Sequence, residues 1–124
     1  MNTHGEQVNL VWFDPNLFSE DNTVILNNLL DEFPNIQTLV EEEPFYTLVE
    51  GRANRRVVLI ISGKKGEEII PRIHDRSDIL SIYVYCGQIA KYKYLETNYS
   101  KVQKVINDPD DLLSTIKSEP NLSK

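Results

Sequence analysis

Three largely apolar runs constrain this chain more than any other feature: residues 8–13 (VNLVWF), 57–61 (VVLII) and 80–86 (LSIYVYC). Each is rich in β-branched or aromatic residues and bounded by turn formers, which marks a strand. Their apolarity is continuous, so the strands are expected to be covered on both faces. Parallel strands in an α/β protein are covered in that way, by crossover helices packed above and below the sheet. Two weaker runs, 36–40 and 102–106, have the length of outer strands.

Helical spacing fills the intervals. Over residues 21–33, Val24, Ile25, Leu29 and Phe33 recur with Leu26 and Leu30 alongside, behind an Asp21 or Asn22 cap, and Pro34 stops the run. Residues 44–52 (PFYTLVEGR) suit a helix with Pro44 in its first turn, preceded by Glu41, Glu42 and Glu43 and closed near Gly51. Residues 66–74 place Ile69, Ile70 and Ile73 on one side, but Pro71 predicts a short or broken helix. Ile89, Tyr92, Leu95 and Tyr99 form a fourth stripe, and residues 110–117 a fifth, with Leu112, Leu113 and Ile116 inward. Five β-α units predict a three-layer, flavodoxin-like (Rossmann-like) α/β domain over residues 8–118, with a five-stranded parallel sheet in the order 2-1-3-4-5. Residues 1–7 read as a disordered tail, and 119–124 as a frayed tail or the start of a linker to further domains.

Length and charge narrow the function. At 124 residues, 40% hydrophobic and 26% charged, one core can close and two cannot. A net charge of −6 opposes a nucleic-acid surface. The local basic excess, Arg52, Arg55, Arg56, Lys64 and Lys65, allows at most a small anion-binding corner. The single Cys86 makes no internal disulfide and no cysteine metal cluster, which fits a reducing, cytoplasmic compartment. No apolar run approaches the roughly 20 residues of a membrane helix, so no membrane partner is expected.

In this architecture ligands bind beyond the carboxyl ends of the strands, where strand order reverses. That rim holds Asp14, Pro15 and Asn16, then Ser62, Gly63, Lys64, Lys65 and Gly66, then Cys86 and Gly87, then Asn107 and Asp108. The SGKKG segment offers backbone N–H groups to a small anion or nucleotide, yet it is neither GxxxxGK[ST] nor GxGxxG, and turn geometry explains its glycines more simply. Asp14 could bind Mg²⁺ only with further oxygen ligands nearby, so an Asx turn over Asp14 to Asn16 is the favoured reading. His74 beside Asp75 makes no catalytic pair, because sequence neighbours do not face each other on a helix. Cys86 reads as a buried small hydrophobe. No catalytic residues, metal site or cofactor are expected. Tyr83, Tyr85, Tyr92, Tyr94 and Tyr99 crowd one third of the chain, and Tyr92, Tyr94 and Tyr99 are expected to mark a partner surface.

The segments LVWFDPN, RVVLIISGKKGEEIIPRIH, SIYVYC and VINDPDDLLSTIKS together resemble the N-terminal receiver-like domain of certain invertebrate multidomain proteins. In those proteins the module precedes an arginine-type ADP-ribosyltransferase domain or tetratricopeptide (kinesin-light-chain-like) repeats. The resemblance implies a pseudo-receiver rather than a phosphoacceptor. Asp14 is the only carboxylate matching the acidic pair, Ser62 stands at the phosphoacceptor position, Cys86 at the hydroxyl position and Asn107 at the lysine position. It therefore implies a non-catalytic signalling or adaptor role, through protein-protein interaction or self-association. The alternative is a nucleotide- or NAD-recognising, TIR-like domain using Asp14 and the 62–66 segment.

Overall fold

The computed structural model describes residues 7–51 and 55–122. The chain alternates β1 (Gln7–Phe13), α1 (Glu20–Glu32), β2 (Gln37–Leu39), α2 (Glu42–Gly51), β3 (Arg55–Ser62) and α3 (Gly63–Ile73). It continues through β4 (Ile79–Tyr85), α4 (Ile89–Tyr92), α5 (Tyr94–Asn98), β5 (Val102–Ile106) and α6 (Pro109–Lys117). All five strands run parallel, in the order β2-β1-β3-β4-β5. This is the flavodoxin-like arrangement expected from the three apolar runs.

The double-sided cover explains why those runs do not alternate. Along β1 and β3, Val11, Phe13, Val57, Leu59 and Ile61 face one core with residues of α2, α3, α4 and α5. Leu10, Trp12, Val58 and Ile60 face the other, against Ile25, Leu26 and Leu29 of α1 and Leu112 and Ile116 of α6. A polar residue on either side would lose its water, so every second position had to be apolar as well. The exposed edge is guarded: the β5 N–H of Val105 donates to Glu96 Oε2 at 2.7 Å, which leaves that group unavailable to another strand.

Several elements depart from the expected boundaries. Ser19, not Asp21 or Asn22, caps α1, its Oγ accepting from Asn22 N. The inward stripe shifts accordingly, and Val24 is 61% exposed. Pro71 does not break α3, because it sits in the last turn of an 11-residue helix that His74 N closes onto Ile70 O. There the missing N–H and the ring disturb one turn rather than a propagating ladder. The stripe from Ile89 to Tyr99 is divided between α4 and α5, with Lys93 separating them.

Both chain ends also need correction. Gln7 already belongs to β1, while residues 1–6 lie outside the described residues. Residues 119–122 are not frayed. Glu119 is 2% exposed, its Oε1 accepts from Tyr83 Oη, and its Oε2 accepts from Asn121 N at 2.8 Å and Asn121 Nδ2 at 2.7 Å. Leu122 packs on the same core as α1 and α6. The polar look of this segment hid a buried clasp.

Candidate functional site

A cleft of about 710 Å³ opens at the carboxyl rim of the sheet, where the chain switches from one side of β1 to the other. The ends of β1 and β3 bring Asp14, Asn16, Ser62, Gly63 and Lys64 to it, and those of β4 and β5 bring Tyr85, Cys86, Gln88 and Asn107. The start of α1 adds Ser19, Asp21 and Asn22. Six of the eight residues expected at a ligand site therefore meet in one place: Asp14, Asn16, Ser62, Gly63, Lys64 and Cys86.

Lys65 and Gly66 do not line the cleft. Lys65 lies towards α2, paired with Glu42 Oε2 at 2.6 Å and with Glu68 Oε1 at 3.4 Å. Gly66 is buried among Ile61, Ile70 and Leu95. The reason is that SGKKG is not a loop. Ser62 is the N-cap of α3, its Oγ accepting from Lys65 N at 3.3 Å, and Gly63 is already helical. One helical turn then distributes the four following residues around the axis, so they cannot all face one ligand.

Gly63 is needed for closeness and not for backbone freedom, since no described glycine has positive φ. A Cβ there would stand 2.5 Å from Cε2 and 2.6 Å from Cδ2 of Tyr92, whose ring lies against the helix start. Tyr92 is consequently 8% exposed and lines the cleft instead of forming an outer surface. The expected partner surface of Tyr92, Tyr94 and Tyr99 is thus dispersed. Tyr94 is 42% exposed, with its hydroxyl donating to Glu67 Oε2 at 2.8 Å, and Tyr99 is half-buried against His74 with ring centroids 4.8 Å apart.

The basic corner is dispersed too. Arg55 and Arg56 open β3 whereas Lys64 and Lys65 follow its end, so the length of the strand holds the two pairs about 20 Å apart. Arg52 lies outside the described residues.

Asp14 is the most informative group in the cleft. The Asx turn expected here is present: Oδ1 accepts from Asn16 N at 2.8 Å, and Leu17 N reaches the Asp14 carbonyl at 3.0 Å. Asp14 is only 5% exposed, and burial pushes its carboxyl above the usual range against the lowering effect of the Asn16 N–H. Cys86, expected to be buried, is only half-buried and lines the cleft, and what burial it has raises its thiol. No group of three His, Cys, Asp or Glu among the described residues could hold a metal ion.

Asn107 and Gly87 were legible from topology, being residues that follow strands. Ser19, Asp21, Asn22 and Gln88 were missed. The signal available for the first three was the Ser-x-x-Asn spacing of an N-cap preceding the α1 stripe. No helix among the described residues is long and apolar enough to cross a membrane. No family model, curated protein or solved structure matches the chain.

Proposed function

We propose that this chain is a non-catalytic signalling or adaptor module, a degenerate relative of receiver domains that works by binding another protein. The observation that carries the reading is the occupation of Ser62, at the position where a receiver presents its phosphoacceptor: its Oγ caps α3 through Lys65 N. Asp14, the one carboxylate at the acidic-pair position, is engaged in an Asx turn. Cys86 and Asn107 replace the hydroxyl and the lysine. The helix cap has taken over the Ser62 hydroxyl that phosphotransfer would require free.

The contact face in this reading comprises α4, α5, β5 and α6, with Tyr94 as its exposed aromatic. Incubation with acetyl phosphate and Mg²⁺ followed by intact-mass spectrometry is expected to leave the chain unmodified. Sedimentation velocity over increasing concentration is expected to show self-association that Tyr94→Glu weakens, or, with a captured partner, a footprint centred on Tyr94. A phosphorylated chain, or an exchange-protection footprint confined to the opposite edge, would overturn the proposal.

A second reading, recognition of a nucleotide or NAD, is favoured by one observation. The cleft has a volume in the range of small-molecule sites and gathers Asp14, Ser62, Gly63 and Lys64. A rise in melting temperature with NAD or ATP tests it in the same material.

A further inference from the structure

We infer that the rim cleft is a seat for an uncharged, hydroxyl-rich small molecule, a nucleoside or a free sugar, whose hydroxyls donate to Asp14, and that it discriminates against phosphorylated forms of the same molecule. The inference rests on the cleft being a ligand site and reverses the ligand charge that the lysines in its sequence suggest.

The first observation is an unfinished carboxylate. Asp14 is 5% exposed and lines the cleft, yet among the described residues its carboxylate receives one hydrogen bond, from Asn16 N to Oδ1. An ionised carboxylate has about four acceptor sites, and Oδ2 is not one of the fully buried unpartnered side-chain atoms, which among the described residues are Asn9 Nδ2, Trp12 Nε1 and Tyr46 Oη, so it is open to the cleft. Glu119 shows what completion looks like in the same protein, with donors from Tyr83 and Asn121 on both oxygens. Oδ2 of Asp14 lacks such donors, and a ligand hydroxyl would supply one.

The second observation concerns what a phosphate would meet. Helix starts attract anions when their N–H groups are free, and here each start has spent one N–H on its own cap. Asn22 N donates to Ser19 Oγ, Lys65 N donates to Ser62 Oγ, and Gly63 is buried beneath the Tyr92 ring. Of the ionised side chains lining the cleft, Asp14 and Asp21 are anionic and Lys64 alone is cationic. The balance repels a dianion.

The remaining lining selects hydroxyls over cations. Asn16, Gln88 and Asn107 each bring an amide carrying donors and an acceptor, whereas Asn22 Nδ2 already donates to the Asn16 carbonyl at 3.0 Å. An ammonium group or metal ion could use Asp14 and the amide oxygens but would accept nothing from the amide N–H groups, which would keep water as their partner. A hydroxyl both gives and receives. Tyr85, held edge-on to Trp12 at a centroid distance of 6.5 Å, adds an aromatic side to the cleft for the C–H face of a ribose or pyranose.

The test is an amide-resolved NMR titration of the full chain with adenosine, D-ribose and AMP. Adenosine is expected to shift Asn16, Gly63, Gln88 and Asn107, ribose to shift a subset of them more weakly, and AMP to bind several-fold less tightly than adenosine. Asp14→Asn keeps an oxygen for Asn16 N, so circular dichroism should show an unchanged fold. Its affinity for adenosine should fall about tenfold, the share of one hydrogen bond to a charged group. Tighter binding of AMP than of adenosine would overturn this inference while leaving the nucleotide reading standing. Silence towards all three ligands would overturn both, and undiminished adenosine affinity in folded Asp14→Asn would overturn the role given to Asp14.

Discussion

Asp14 and Glu119 are both largely buried carboxylates, at 5% and 2% exposure, and they sit in opposite situations. For Glu119, burial pushes the carboxyl up, but the hydrogen bonds from Tyr83, Asn121 and Ser81 outweigh it and hold the group below its ordinary range. For Asp14, burial wins over the single Asn16 N–H, and the group lies above its ordinary range. The difference teaches where the molecule is finished. A buried charge surrounded by donors fastens a structure, whereas one left with a single donor beside a cleft is a place for something else to bind.

The comparison breaks most visibly at the clasp. Glu119→Ala removes the acceptor of Tyr83 Oη and of both Asn121 donors, and leaves the buried phenol without its partner. The expected loss is about 3 kcal/mol, the upper end for stranding a buried group, read as a lower urea midpoint. Gly63→Ala sharpens the other side. Its Cβ would meet the Tyr92 ring at 2.5 Å, so Tyr92 must leave its seat on the α3 start, at a cost of about 2 kcal/mol for overpacking. Much of that loss should vanish when Gly63→Ala is made together with Tyr92→Leu, and a double-mutant cycle by urea denaturation checks the coupling.

The central strands were legible because a parallel sheet covered on both faces favours apolar residues on both sides of a strand, a rule that acts locally and leaves a mark in each run. What was not legible depended on distant partners. The glycine of SGKKG looked like turn chemistry, yet its reason is a tyrosine 29 positions away in the chain, which no local pattern shows. Glu119 and Asn121 looked like a solvated end, because polar residues near a terminus are usually exposed; only Tyr83 and Ser81 on β4 explain why Glu119 is buried and Asn121 is held beside it. Pro71 points to a broken helix in the sequence alone, but its cost depends on its distance from the helix end, and in α3 that end is one turn away. At the cleft, topology located Asp14, Asn16, Ser62, Cys86 and Asn107, but the spacing of SGKKG could not say which of its residues would turn away.

The two carboxylates also have opposite linkage to pH. A group held below its unfolded value contributes stability at neutral pH that is lost as pH falls through the folded value, and this is Glu119. A group held above its unfolded value binds its proton more tightly when folded, so it opposes folding as pH rises through the interval, and this is Asp14. The most direct measurement is therefore a carbon-13 NMR titration of the side-chain carboxyls in the folded chain. The account requires the Asp14 carboxyl to titrate above the ordinary aspartate range and Glu119 below the ordinary glutamate range. An Asp14 that titrates at or below the ordinary value would mean that its charge is already satisfied within the protein, and would contradict the claim that this buried carboxylate is left open to a ligand.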